Sequence, residues 1–261
     1  MTVASGAVDV DIWSVPLDGS LPDGAWAVLS DAERERARRM RPPAWQRDFV
    51  LSHYATREIL ARYTATDPAA LEFQCGAQGK PKALCKPKAL GEPEALGEPE
   101  ALGEPEALGE PEAAGSVEFS LSHTGGLALL AVSAAEVGVD VELTRPAPPA
   151  EGLMARCLTA VEQAAVDTAG NDTTAAFLRY WTAKESYLKG LGIGLAEPLG
   201  NVEVHWEGHA KARIARGGAT DKRWALQALE VGPHHVAAVA VNTPWPGITV
   251  PLRYRDFKSL C

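Results

Sequence analysis

Two stretches decide how this chain is read: Gly138-Val139-Asp140-Val141-Glu142 and, further along, Trp181-Thr182-Ala183-Lys184-Glu185-Ser186-Tyr187-Leu188-Lys189. In the first, Val137, Val139 and Val141 alternate with Gly138, Asp140 and Glu142, the period of a strand with one apolar face. Asp140 and Glu142 therefore share a face, where their like charges repel unless a cation lies between them. Hard oxygen donors of this kind suit Mg²⁺ or Mn²⁺. On this tripeptide alone a solvated face of an edge strand stays open, because D-x-E is a common pattern.

The second stretch predicts a helix, with Asn171 or Asp172 as N-cap and Gly190 and Gly192 as stop signals. Its apolar stripe of Phe177, Trp181 and Leu188 is interrupted where Lys184 and Glu185 stand. A carboxylate on the inward side of a helix is costly unless it is paired or bound to a metal. An ordinary Glu185–Lys189 ion pair one turn apart, worth about a few tenths of a kcal/mol, accounts for the pair but not for the broken stripe.

Two further segments lie upstream, Gly79-Lys80-Pro81 and Phe119-Ser120-Leu121-Ser122-His123-Thr124. With them the chain resembles the Sfp-type 4′-phosphopantetheinyl transferases, whose signature is G-hydrophobic-D-x-E followed by W-[ST]-x-K-E-[AS]-hydrophobic-hydrophobic-K. That family also carries an upstream G-K-P and F-[NS]-[LI]-S-H-[ST]. All four segments occur here in the family's order, a joint match far more specific than any piece. Weaker similarity runs from Ser30 to Leu60, where Arg47 and Arg57 resemble arginines of the family's early helices and His53 stands where relatives often have another arginine.

The resemblance implies an α/β fold of α+β layers, built as two pseudo-twofold-related subdomains of one monomer with coenzyme A between them. It implies transfer of the 4′-phosphopantetheine group from coenzyme A to a serine of an apo acyl or peptidyl carrier protein, releasing 3′,5′-ADP. Asp140, Glu142 and Glu185 would hold Mg²⁺, with Mn²⁺ possible. Glu185 would be the base, and Lys189 would stabilise or protonate the leaving group. Lys80, Ser122, His123, Lys184, Lys189 and Arg47 would contact the coenzyme. The match is to the broad Sfp-type group rather than to the short trimeric carrier synthases, which favours polyketide and nonribosomal peptide carriers.

Composition agrees with such an enzyme. The 261 residues are 46% apolar and 23% charged, ordinary globular usage with enough apolar residues for a core. Cysteines at 75, 85, 157 and 261 show neither C-x-x-C pairing nor zinc spacing, so a reducing cytosol is expected rather than a disulfide framework. The N-terminus has no basic region leading an apolar core, and no apolar run is long enough to span a bilayer. A soluble cytoplasmic protein is expected, and a net charge of −9 argues against nucleic acid as a partner.

Four of those net negative charges come from one segment. From Gly79 a hexapeptide repeats as GKPKAL, CKPKAL, three GEPEAL and GEPEAA, with four lysines against eight glutamates. Proline in every unit forbids a continuous helix, and single leucines bury too little surface. Residues 85–115 are therefore expected to form an extended, acidic, largely disordered insertion.

Around it the chain reads as two halves, 1–136 and 137–261. In the first, Val8, Val10 and Ile12 alternate as a strand, Ser30 and Glu33 make a capping box for a basic helix, Gln46 to Tyr63 is a longer helix, and strands follow at 117–121 and 127–132. In the second, the Asp140 strand leads to a helix capped by Thr159 with Glu162, then the Trp181 helix and strands near 202–206, 224–229 and 236–241. His205, His209, His234 and His235 have no ligand spacing and receive no role. Two other classes stay open: another Mg²⁺-dependent phosphotransferase or nucleotide hydrolase, though no P-loop is present, and a non-catalytic coenzyme A-binding scaffold.

Overall fold

The computed structural model describes residues 8–75, 81–84, 117–144, 152–244 and 249–260. The first half runs β1 (Val10–Pro16), α1 (Ala25–Val28), α2 (Asp31–Arg39), α3 (Pro43–Thr64), β2 (Glu72–Cys75), β3 (Pro81–Leu84), β4 (Glu118–Thr124) and β5 (Leu127–Ser133). The second runs β6 (Val137–Leu143), α4 (Leu153–Cys157), α5 (Ala160–Asp167), α6 (Thr173–Leu191), β7 (Val202–Glu207), β8 (Lys211–Arg216), β9 (Ala219–Thr220), β10 (Trp224–Leu229), β11 (His235–Asn242) and β12 (Leu252–Asp256). Lys80 and the hexapeptide insertion 85–115 lie outside the described residues.

Helix starts follow the capping chemistry read from sequence. Ser30 with Glu33 and Thr159 with Glu162 both form complete capping boxes, each hydroxyl accepting the N3 amide while the glutamate accepts the cap amide. Helix α6 begins after Asp172 and ends at Gly192, whose φ of 77° is the left-handed cap that glycine adopts without strain. Gly190, expected as a stop, instead lies inside the helix, for a packing reason given below.

The two halves repeat one plan. In each, the first strand pairs antiparallel with a later strand, which pairs in turn antiparallel with the strand before it: β1–β5–β4 and β6–β11–β10. A long helix covers the outer face of each sheet. Ala55, Ile59 and Leu60 of α3 pack on Trp13, Val15, Leu130 and Val132, and Phe177, Ala183, Tyr187 and Leu188 of α6 pack on Val204, Ile214, Leu226 and Ala240. Between the sheets, Val10, Ile12, Leu129 and Ala131 meet Val137, Val139, Val141 and Val239 in a third cluster. The period-2 valines of β6 thus face the centre of the molecule, and Gly138, Asp140 and Glu142 face α6. Strand β12 crosses back to pair parallel with β1, so the C-terminal segment completes the first half's sheet. Among the described residues, no helix is long and apolar enough to cross a membrane.

Candidate functional site

The site begins with a glycine. A Cβ on Gly138 would stand 1.9 Å from the carbonyl oxygen of Ser186 and 2.3 Å from the amide nitrogen of Gly190. Only the absence of that carbon lets α6 lie directly on β6. Gly190 serves the same approach from the other side, where a Cβ would meet the Trp224 ring at 2.5 Å. Once the helix lies that close, the residues of α6 facing β6 are Glu185 and Lys189, one turn apart, and they come against Asp140.

The contacts are direct. Lys189 Nζ donates to Asp140 Oδ1 at 2.6 Å and to Ser122 Oγ at 3.0 Å, and Ser122 Oγ donates to Asp140 Oδ1 at 2.8 Å. Asp140 and Glu185 are buried, and among the described residues one oxygen of each, Asp140 Oδ2 and Glu185 Oε1, has no hydrogen-bond partner. Burial raises the Asp140 carboxyl above its ordinary range against the pull of Lys189. Burial first, then the negative charges of Asp140 and Glu142, pushes Glu185 up to about 7, opposed by Lys189. The three carboxylates therefore act on one another, as the sequence pattern expects. Among the described residues they do not converge into a ready three-ligand cage, and Lys189 is paired with Asp140.

His123, next to Ser122 on β4, stays exposed at the surface, and partial desolvation of its ring with Lys189 and Arg36 nearby holds it below its ordinary value, Asp48 opposing. Arg36 reaches this region over the Phe49 ring, 5.3 Å from its centroid, and Phe49 stacks on His53 at 3.9 Å. Arg36 was one of many arginines in the sequence. What distinguishes it is its place one turn after Glu33, on the face that α2 turns to α3. Arg47 is half-buried and pairs with Asp48 at 2.9 Å, while Arg36, although exposed, is the arginine whose charge acts on His123. Arg57 is buried, bound to Glu33 at 2.8 Å and to the carbonyls of Pro68 and Leu71, and serves the fold.

Lys184 corrects the sequence reading. It was expected to meet a phosphate, but its ammonium is fully buried and donates to Glu162 at 2.5 Å, to the Cys157 carbonyl at 2.7 Å and to the Leu199 carbonyl at 3.2 Å. One residue along a helix is a rotation of about 100°, so Lys184 points into the second half's core while Glu185 points at β6. Glu162 completes the node by accepting the Thr159 and Val204 amides. Lys184→Met would strand the Glu162 carboxylate. Urea unfolding is expected to show a loss of about 3–5 kcal/mol, only partly recovered when Glu162→Gln is added, because one glutamine oxygen cannot take both the Thr159 and the Val204 amide.

Comparison with known proteins places this arrangement. The profile of the 4′-phosphopantetheinyl transferase superfamily matches residues 136–240, from the start of β6 into β11. The chain is 31% identical to 4′-phosphopantetheinyl transferase HetI of Nostoc sp. over 238 residues, which cover 89% of this chain and 87% of that protein. It is 23% identical to 4′-phosphopantetheinyl transferase of Bacillus subtilis over 205 residues, 77% of this chain and 78% of that one. It is also 27% identical to the L-aminoadipate-semialdehyde dehydrogenase-phosphopantetheinyl transferase of Mus musculus over 159 residues, 54% and 51% of the two chains. With both sequence motifs meeting at one buried junction, the chain belongs to the 4′-phosphopantetheinyl transferase superfamily and is a transferase of the phosphopantetheinyl group.

Proposed function

We propose that this enzyme works as an Sfp-type transferase, moving 4′-phosphopantetheine from coenzyme A to the serine of an apo acyl or peptidyl carrier protein, with both halves of the site supplied by one monomer. The observation that carries this is the meeting of Asp140, Ser122 and Lys189, one residue each from β6, β4 and α6, beside a buried Glu185. A site assembled from both halves of one chain needs no second copy.

The donor set fits a hard divalent cation, Mg²⁺ or Mn²⁺. Two buried carboxylate oxygens lack partners among the described residues, and burying them so is favourable only when a cation or proton arrives. Asp140, Glu185 and Glu142 would hold it, and when bound it would supply charge neutralisation at the scissile diphosphate. Glu185 takes the proton from the attacking serine hydroxyl. As the serine oxygen bonds to the β-phosphorus, the bond from that phosphorus to the oxygen of the departing 3′,5′-ADP breaks. Lys189, released from Asp140, meets the negative charge that develops on that oxygen. His123 and Arg36 would offer contacts to a phosphate, and the Ser122 hydroxyl holds Asp140 and Lys189 in place.

Intact mass spectrometry of several purified apo-carriers, incubated with the enzyme, coenzyme A and Mg²⁺, tests this. Each accepted carrier is expected to gain one phosphopantetheine arm, with the gain abolished by EDTA. Carriers of polyketide and nonribosomal peptide synthases are the first to try. No gain on any carrier from folded enzyme that hydrolyses a nucleotide instead would sink the proposal.

A further inference from the structure

Strands β4 and β6 stand side by side at the joint between the halves, yet they belong to separate sheets with no backbone ladder between them. In β6 the ladder to β11 uses one edge of the strand, leaving the amides of Val139 and Val141 on the other. Both residues are buried, where an unpaired amide is costly. Two serine hydroxyls of β4 accept them: Ser120 Oγ from Val139 at 3.1 Å and Ser122 Oγ from Val141 at 3.4 Å. Ser120 and Ser122 lie two residues apart on one face of β4, and the amides they take flank Asp140.

We infer that Ser120 is a positioning residue for the phosphopantetheinyl transfer site: its hydroxyl splices the two sheets together one step before Ser122 and so sets where Asp140 stands relative to Ser122 and Lys189. Ser120 has no contact with Asp140, Glu185 or Lys189 of its own. Its effect runs through the N–H of Val139, which belongs to the Gly138–Val139 peptide, one unit before the peptide that carries the Asp140 nitrogen. Ser122 alone could swing about its own bond to Val141, but a second hydroxyl on the next amide of the same edge holds both strands to one register. Register decides the site here, because β6 is held by its ladder to β11, and a slip of β4 along β6 would carry Ser122 away from Asp140 and Lys189.

The inference rests on the proposed role of Asp140 as a cation ligand, so its test carries a separate arm for that role. Mn²⁺ binding to the whole enzyme without coenzyme A is followed by electron paramagnetic resonance for wild type, Asp140→Asn, Ser120→Ala, Ser120→Thr and Ser120→Val. Thr and Val fill the same volume and differ in the one oxygen that the Val139 amide needs. Ser120→Ala and Ser120→Val are expected to weaken Mn²⁺ binding about tenfold, the effect usual for a group that orients a ligand. They should lower kcat by a similar factor with little change in KM for coenzyme A, and Ser120→Thr should restore both. Equal weakening by Thr and Val, or wild-type Mn²⁺ affinity in Ser120→Ala and Ser120→Val, overturns the inference while leaving the metal reading in place. Undiminished Mn²⁺ binding in Asp140→Asn overturns the metal reading and the inference together.

Discussion

Gly138→Ala is expected to yield no stably folded protein. The added carbon would sit 1.9 Å from the Ser186 carbonyl oxygen, 2.3 Å from the Gly190 nitrogen and 2.9 Å from its Cα, all backbone atoms that no rotamer change can move. Relief would require α6 to lift off β6, opening the cluster in which Tyr187 and Leu188 are buried. Overpacking against side chains costs about 1–3 kcal/mol. Here the obstacle is main chain held by its own helix bonds, so the cost falls among the exceptional losses above about 4–5 kcal/mol, comparable with a whole domain's stability. Circular dichroism should find a loss of the cooperative melt, or aggregation on expression. Gly19→Ala, where nothing lies within 4 Å of the added carbon, is the control and should melt like wild type. A cooperative Gly138→Ala protein melting within a few degrees of wild type would show that α6 does not lie where it is described.

Glu185→Gln is expected to abolish turnover while making the metal-free protein more stable at alkaline pH. Loss of a general base alone typically lowers the rate by about 10²–10⁴-fold, and loss of a cation ligand adds to that. The stability effect has the opposite sign. Burial and the neighbouring carboxylates push Glu185 from 4.5 up to about 7 in the folded protein. Between those two values the folded protein keeps a proton that the unfolded chain has already released, so this group's contribution to stability falls as pH rises through that window and levels off above about 7. A glutamine has no charge to bury. With EDTA present, the variant should match wild type near pH 5 and melt above it at pH 8. Wild-type kcat in the variant would remove Glu185 from the chemistry. An unchanged melting difference between pH 5 and pH 8 would show that its carboxyl is not strained by its surroundings.

These two residues also mark how far the motifs could be read. The alternation of Val137, Val139 and Val141 revealed a strand and its two faces, since side-chain period is a local property. The interrupted stripe of α6 showed that something charged had to face inward. Neither pattern tells which of two adjacent charged residues does so. Lys184 and Glu185 differ only by rotation about the helix axis, and only the position of α5 and β7 against α6 turned Lys184 toward Glu162 and Val204. Arg36 was hidden for the same reason, as one of four arginines on α2 whose roles depend on which side of that helix meets α3. Gly190 looked like a helix stop because its service as a close-packing residue involves Gly138 and Trp224, both distant in sequence.

The sequence by itself determined the capping boxes at Ser30 and Thr159, the terminus at Gly192, the main strands and helices of each half, and the pairing of a D-x-E strand with a W-x-x-K-E helix that belongs to one superfamily. Those features are local or carried by motif. Tertiary structure alone decided that the helix rests on the strand through two glycines, that Lys189 and Ser122 share Asp140, that two serines splice the halves, and that β12 returns to the first sheet. Each of these joins residues remote in the chain, and remote contacts are set by how whole faces pack rather than by any spacing along the sequence.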